Sequence, residues 1–165
     1  MQKILLIILM AISFDSFAQK KPSFEEKEIL LKVQQFFDAL ETQDTVLFKS
    51  ILLRDGQVWA ISEKENAAKY SMRQFSDFMK TLINPARIIE ERMLSSEVKI
   101  HNRIAMAWVP YTLSIGGKFS HCGIDLFTML KTSEGWKIAT AAYTIEPDGC
   151  SFPAQGRNDK GSRPE

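Results

Sequence analysis

The sequence predicts an α+β fold in which three amino-terminal helices pack on a strongly bent antiparallel sheet. Apolar residues between positions 29 and 40 recur at three-and-four spacing, which is the period of a helix with one buried face. After residue 88 the chain is rich in β-branched and aromatic residues, in long runs that turn residues interrupt, as strands are. Because most helical segments precede most strand segments, we expect helices and strands to form separate layers.

The first helix begins after Ser23, which has Glu26 three residues later in the spacing of a capping box. Its apolar stripe consists of Ile29, Leu30, Val33, Phe36, Phe37 and Leu40. A second, shorter helix is predicted to start near Asp44 and to end before the turn-forming pair Asp55-Gly56. Both helices need a partner surface for their apolar faces.

The segment that joins these helices to the sheet contains a strand, a loop and a third helix. The apolar residues of 57–62 predict the strand, and the polar character of 63–70 predicts the loop. Ser71 and Gln74 have the spacing of a cap, so the third helix is expected to begin there and to be stopped by Pro85.

The carboxyl-terminal half predicts a run of strands. Gly116-Gly117 is the turn of a hairpin, and the polar residues 101–103 and 132–135 mark two further turns. The last three strands therefore form an antiparallel meander. The strands that these turns separate are 88–93, 98–100, 104–114, 119–131 and 136–145.

Residues 1–18 have the three parts of a cleavable secretory signal: a basic start at Lys3, an apolar run over 4–12 and a small-residue exit. Cleavage is expected after Ala18. A membrane helix needs about 20 apolar residues, and this run is shorter, so no stable membrane anchor is expected. The mature protein is predicted to be periplasmic or secreted.

Residues 19–150 are predicted to form one domain, since about 100–150 residues is the commonest domain size. The tail 151–165 carries proline, glycine and charge with few apolar residues, and we expect it to be flexible. The chain has 21 basic and 20 acidic residues without a basic cluster, which argues against a nucleic-acid partner.

No metal site and no cofactor are expected. The chain has two cysteines and two histidines, and their spacing matches no zinc motif. It has no phosphate-binding loop, no dinucleotide fingerprint and no nucleophile elbow.

Three stretches of the sheet region and one dipeptide before it carry a family resemblance: 104–111, 119–127, 135–138 and Glu91-Arg92. In these the chain resembles the nuclear transport factor 2-like superfamily, and within it exported bacterial SnoaL-like and lumazine-binding-like proteins. The resemblance implies a cone-shaped domain whose bent sheet wraps around the first helix and leaves a pocket at the open end. Many relatives pair through the outer sheet face, and the fold hosts isomerases, dehydratases, ligand binders and pairing modules alike.

The strand register predicts which residues face that pocket. If the hairpin pairs symmetrically about its turn, Trp108 lies opposite Asp125. By the same register Thr112 lies opposite His121, and these four side chains share one face. Both faces of the strand 119–131 are apolar in the middle. Because the helices cover one face only, we predict a homodimer through the other.

Asp125 is the leading candidate for a functional carboxyl. Beside Trp108 and Phe127 in a water-poor cavity its pKa would rise through desolvation, and it would act as a neutral hydrogen-bond donor or as a general base. The pattern over 124–127 resembles a strand of ketosteroid isomerases, but 58–61 lacks the second carboxylate of that family. In the alternative interpretation Asp125 holds a neighbouring tyrosine, tryptophan or arginine in place.

His121 also has two interpretations. It either contacts a ligand or forms a cross-strand ion pair with Glu146 near the rim. Four residues on one strand span roughly 13 Å, so His121 and Asp125 cannot form a dyad directly. Both stay catalytic candidates, at opposite ends of one ligand.

Aromatic and basic residues complete the predicted ligand site. The aromatic residues Trp59, Trp108, Tyr111 and Tyr143 either stack on a planar ligand or pack in the core. Arg92 either contacts an anionic group or pairs with a surface acid such as Glu90. The full predicted set is Trp59, Trp108, Thr112, His121, Asp125, Phe127, Tyr143 and Arg92.

Export would place Cys122 and Cys150 in an oxidising compartment, where disulfides persist. In the predicted register a straight strand would hold them roughly 17 Å apart, beyond the ~4.4–6.8 Å between the Cα atoms of a disulfide. A turn at 147–149 would close that gap, so the pairing stays open.

These residues predict an exported domain that binds a small, partly aromatic molecule in its cone without catalysis. Two alternatives stay open. One is an enzyme of the isomerase, dehydratase or hydrolase kind that uses Asp125 and His121, and the other is a dimeric interaction module with a filled cone. A cavity around Asp125 would favour binding or catalysis.

Overall fold

The computed structural model describes residues 21–64, 67–84 and 86–150. The predicted leader, 1–18, and the predicted tail, 151–165, lie outside the described residues. None of the helices in the described part is long and apolar enough to span a bilayer. The elements within it are α1 (Phe24–Thr42), α2 (Thr45–Ile51), β1 (Leu52–Lys64), β2 (Ala67–Gln74), α3 (Phe75–Leu82), β3 (Ile89–Met93), β4 (Glu97–His101), β5 (Ile104–Ile115), β6 (Lys118–Thr132) and β7 (Gly135–Ile145).

The strands form one curled sheet that does not close on itself. Their order is β2-β1-β7-β6-β5-β3, and β4 pairs with β5 beyond the end of β3. The predicted α+β class, with three helices packed on a bent sheet, is confirmed. One detail needs correction: the sheet is mixed rather than antiparallel, because β1 runs parallel to β7. Parallel neighbours need a long connection, and the whole chain from β2 to β6 lies between these two strands.

The first two helices start where the sequence predicts. Ser23 and Glu26 form the capping box, in which Ser23 Oγ accepts from the Glu26 N–H at 3.2 Å. Asp44 caps α2 through one carboxylate oxygen, which accepts from the N–H groups of Val46 and Leu47 at 2.8 and 2.9 Å. The buried stripe of α1 consists of Ile29, Val33, Phe36, Phe37, Ala39 and Leu40.

An edge strand replaces the loop that was predicted over 63–70. Residues 67–74 pair antiparallel with β1 and are exposed along most of their length, so their polarity is that of a solvated sheet edge. The predicted start of the third helix is also wrong, since Ser71 pairs with Ala60 in β2 and α3 begins at Phe75.

Gly56, predicted to form a turn, lies inside β1. Strand β1 starts at Leu52, directly after α2, and its register against β7 shifts between Leu52 and Gln57. A Cβ at Gly56 would lie 2.5 Å from the carbonyl oxygen of Ala139 and 2.5 Å from the ring of Phe75. The glycine therefore permits close packing at a bulge rather than a reversal of the chain.

An aromatic cluster joins the helices to the sheet. The ring centroid of Phe36 lies 5.2 Å from that of Phe48, 6.3 Å from that of Phe78 and 5.1 Å from that of Phe127. Phe36 and Phe78 also line the cavity described below. The packed core thus ends directly at the wall of that cavity.

Candidate functional site

A cavity of about 240 Å³ lies between α1, α3 and the inner face of the sheet. Its lining combines apolar and aromatic side chains with several polar and charged groups. The lining residues are Phe36, Leu40, Arg73, Phe78, Thr81, Leu82, Arg87, Ile89, Glu91, Tyr111, Leu113, His121, Asp125, Tyr143 and Ile145.

A bulge in the β5–β6 hairpin decides which residues face the cavity. Ser114 pairs with Phe119 as the symmetric hairpin predicts, but Leu113 pairs with His121, which leaves Ser120 as the extra residue. A one-residue slip carries every later side chain to the opposite face relative to its partner strand.

The predicted pairs of Trp108 with Asp125 and of Thr112 with His121 are therefore wrong. Asp125 lies opposite Val109, and Trp108 lies opposite Leu126. Trp108 and Thr112 belong to the outer face of the sheet and do not line the cavity.

Asp125 lies at the floor of the cavity. It is 3 % exposed, and its Oδ2 atom is buried without a hydrogen-bond partner among the described residues. Burial, and to a smaller extent the nearby Glu91 carboxyl, raise the pKa of Asp125 well above its usual value of 3.8. No hydrogen bond in the described part joins Asp125 to the tyrosine, tryptophan or arginine that the structural interpretation required. A carboxyl with a raised pKa and an unpaired oxygen atom thus faces the cavity.

Glu91 is a second cavity carboxyl, which the sequence-based set missed. Ile89, Glu91 and Met93 share one face of β3, and Glu91 is half-buried opposite Leu113. Burial raises its pKa from 4.5 to about 8. A lone acid on an otherwise apolar strand face is the signal that could have identified it.

Arg92 lies outside the cavity. Its exposed guanidinium is 3.6 Å from the Glu90 carboxylate, which agrees with the ion-pair interpretation rather than with a pocket role. The guanidinium groups that line the cavity belong to Arg73 and Arg87, neither of which was predicted. Arg73 was assigned to a helix, and its place in β2 depends on the β1–β2 hairpin.

The two cavity arginines are held differently. Arg73 Nη1 donates to Thr81 Oγ1 at 2.9 Å, its guanidinium carbon lies 5.1 Å above the Phe78 ring, and its charge lowers the pKa of the neighbouring Tyr143 against the effect of burial. Arg87 is exposed at the rim, and its backbone carbonyl accepts from Gln43 Nε2 at 3.1 Å. The Arg73 side chain is thus held by α3, and the Arg87 backbone is held by Gln43, the residue after α1.

His121 lines the cavity beside Tyr111, with the two ring centroids 5.8 Å apart in an edge-on arrangement. Desolvation and the positive charge of Arg87 lower the pKa of His121 below 6.5, so the imidazole is neutral at pH 7. The predicted ion pair with Glu146 is wrong, because Glu146 bridges to Cys122 in the backbone ladder and accepts from Thr144 Oγ1 at 3.0 Å.

The Tyr111 side chain on β5 extends across Gly123 of β6 and contacts β7. The fully buried Tyr111 donates its hydroxyl to the carbonyl of Thr144 at 2.7 Å. Tyr111 pairs directly with Gly123, where a Cβ would lie 2.2 Å from the same carbonyl oxygen. Glycine is thus required for this contact, which holds β5, β6 and β7 together at one wall of the cavity.

A disulfide joins Cys122 to Cys150, with the Cα atoms 6.0 Å apart. The straight-strand distance does not apply because β7 ends at Ile145 and the chain turns over the residues that follow, with Gly149 at a φ of 99°. The segment after β7 is thereby tied to β6 next to His121.

The remaining predicted residues lie in three places. Tyr143 lines the cavity. Phe127 is fully buried in the core behind it, against Phe36. Trp59 is 37 % exposed and Trp108 is 43 % exposed, away from the cavity. Within the described ranges no group of three or more histidine, cysteine or acidic side chains is arranged to hold a metal ion.

Solved structures share this fold at low sequence identity. A nuclear transport factor 2-like superfamily protein from Salmonella enterica is 15 % identical with a TM-score of 0.58, over 84 % of this chain and 97 % of that chain. A nuclear transport factor 2-like protein of unknown function from Shewanella baltica is 11 % identical with a TM-score of 0.56, over 77 % and 99 %. A protein from Streptomyces avermitilis described as a putative dehydratase is 14 % identical with a TM-score of 0.56, over 72 % and 94 %. At this identity the similarities show the fold alone, and they confirm the predicted nuclear transport factor 2-like fold.

No curated protein matches the sequence significantly. One protein family does: residues 24–144 match the family described as "Putative lumazine-binding". That range runs from the first residue of α1 to the penultimate residue of β7. The chain therefore belongs to the Putative lumazine-binding family, on a nuclear transport factor 2-like fold.

Proposed function

We propose that this protein binds a small, partly aromatic molecule in the cavity above Asp125. The observation that carries the proposal is the buried Oδ2 atom of Asp125, which has no partner in the described part of the chain. Buried polar groups almost always have a partner, and a ligand polar group would supply one. Lumazine, which the family description names, is a planar heterocycle and belongs to this class of ligand.

The cavity volume limits the size of the ligand. At roughly 30 Å³ per water molecule, 240 Å³ corresponds to about eight waters. That space suits one ring with a polar substituent, or a compact two-ring molecule. The aromatic walls formed by Phe36 and Phe78 suit a flat ring.

We place binding ahead of catalysis because the catalytic candidates are not paired. In the described residues Asp125 has no hydrogen bond to His121 or to another base, and the His121 Nδ1 atom is 3.0 Å from Ser120 Oγ. A nucleophile and its activating base lie within hydrogen-bond reach of each other, whereas a general acid or base has to reach the substrate. The isomerase, dehydratase or hydrolase alternative would need a substrate that bridges the two.

Benzamide is expected to bind the wild-type protein and to be excluded by Leu113→Trp, because an indole at this lining position would fill the cavity. Saturation-transfer NMR measures benzamide binding to the wild type and to the variant. Leu31→Trp is the matched control, since Leu31 is on the solvent side of α1 and 55 % exposed. It should bind benzamide like the wild type.

Leu113→Phe is measured beside Leu113→Trp, with thermal unfolding of each, in case the larger ring prevents folding. Equal benzamide binding by the wild type and by a folded Leu113 variant would contradict the proposal. So would an absence of benzamide binding to the wild type.

We further propose that the protein is exported, with removal of residues 1–18, to the periplasm or the medium, and that it forms a homodimer through the outer sheet face. The support for export is the composition of the leader. The support for the dimer is a set of partly exposed apolar side chains on the outer face and the edge of the sheet, larger than isolated surface residues require: Trp59, Ile61, Met72, Trp108 and Leu130.

Native mass spectrometry of the protein purified from the exported fraction is expected to show a dimer whose subunits lack residues 1–18. Trp108→Glu should give monomers, because it buries a charge in the proposed interface. Leu31→Glu, on the far side of α1, should stay dimeric. A retained leader would exclude cleavable export, and a monomeric wild type would exclude the dimer.

A further inference from the structure

The arginines at the rim of the cavity have no acidic partner in the described part of the chain. The ion pairs found in the described part of the chain involve other residues, such as Arg92 with Glu90 and Lys131 with Glu25. Arg73 contacts only neutral groups, namely the hydroxyl of Thr81, the ring of Phe78 and the side chain of Tyr143. Two permanent positive charges therefore face the cavity without compensation.

The carboxyls inside the cavity do not balance these charges. Burial raises the pKa of Asp125 and that of Glu91, the latter to about 8, which favours the protonated, uncharged form of both carboxyls. A protonated carboxyl offers an O–H donor. The cavity thus presents O–H donors at the floor and N–H donors at the rim, and desolvation and the charge of Arg87 lower the pKa of its imidazole, His121, which favours the neutral form.

We propose that the cavity selects small organic carboxylates, with the ligand carboxylate at Arg73 and Arg87 and its ring against the aromatic wall formed by Phe36 and Phe78. This inference rests on the proposed binding function and adds the charge of the ligand. A planar guanidinium matches a carboxylate bidentately, and two guanidinium groups would hold both of its oxygens. Asp125 would donate to a second oxygen acceptor at the far end of the ligand.

Three probes of nearly equal size test the charge preference: benzoate is an anion, benzamide is neutral and benzamidine is a cation. At about pH 6, titration calorimetry or competition NMR is expected to show benzoate binding roughly tenfold or more tighter than benzamide, the usual size of one charge-assisted hydrogen bond. Benzamidine should bind more weakly than benzamide, because its charge has the same sign as that of the arginines.

Arg87→Gln is expected to reduce benzoate affinity about tenfold and to reduce benzamide affinity by a smaller factor. The Arg87 side chain is exposed at the rim, so its replacement should not disturb the fold. Arg92→Gln is the matched control: it removes one arginine of the same region that faces away from the cavity. This variant should bind benzoate like the wild type.

Benzamidine binding as tightly as benzoate would overturn the inference, and so would an equal loss in Arg87→Gln and Arg92→Gln. Benzamide binding without a preference for benzoate overturns the inference and leaves the binding function standing. Failure of all three probes to bind contradicts both.

Discussion

Raising the pH from 6.5 to 8 is expected to lower the free energy of unfolding of this protein, because the pKa of Asp125 and that of Glu91 are raised in the folded state. The usual values of these carboxyls are 3.8 and 4.5. The stabilisation that each buried carboxyl contributes is fully present below its unfolded pKa. It is lost as the pH rises from that value toward the folded pKa. Over that window the folded state binds more protons, and the loss is at most about 1.4 kcal/mol per pH unit for each carboxyl.

The window limits the contribution of His121. Its pKa is lowered by folding, so its effect has the opposite sign and fades as the pH rises above 6.5. The tyrosines that face the carboxyls, Tyr111 and Tyr143, have pKa values raised above 10.0 and stay neutral.

Urea unfolding at several pH values measures this slope. Asp125→Asn and Glu91→Gln should each flatten it, because an amide does not titrate. Glu90→Gln, on the neighbouring position of β3 and outside the cavity, should keep the wild-type slope. A wild-type stability that rises between these pH values would show that the two carboxyls are ionised in the folded protein.

Phe127→Ala is expected to destabilise the protein by about 3–5 kcal/mol, the usual effect of removing a buried phenylalanine ring. The Phe127 side chain is fully buried, and its ring centroid lies 5.1 Å from that of Phe36 and 6.1 Å from that of Phe37. Its loss would leave an unfilled space between α1 and the sheet. The midpoint of urea unfolding measures the effect.

Phe119→Ala is the matched control, since Phe119 is on the same strand but 54 % exposed. It should change the stability by roughly 0.5 kcal/mol or less. Equal effects of the two substitutions would show that burial of the Phe127 ring does not contribute to the stability of the core. That outcome would favour the sequence-based prediction, in which Phe127 contacts a ligand.

Several site residues could be predicted because their signal is local. His121 and Asp125 are on alternate positions of one strand, so they must share a face whatever that strand pairs with. Tyr143 could be predicted from its position in the last strand. The helix starts at Ser23 and Asp44 were also readable, since a cap depends on side chains within three residues.

Other residues could not be predicted because their placement depends on distant strands. Trp108 and Thr112 were assigned to the cavity by a symmetric hairpin, and the bulge at Ser120 moved them to the outer face. Arg73 reaches the cavity only because β2 pairs with β1. The polar sequence of β2 did not indicate a strand.

The sequence by itself determined the fold class, the capped helices, the strand meander and one carboxyl on an apolar strand, because each depends on periodicity or on contacts a few residues apart. Only the tertiary structure decided that Glu91 and Asp125 share a cavity with Arg73 and Arg87. These four residues come from β3, β6, β2 and the segment before β3. Their distances, and the burial that shifts the pKa values of the carboxyls, exist only when the sheet has curled around α1.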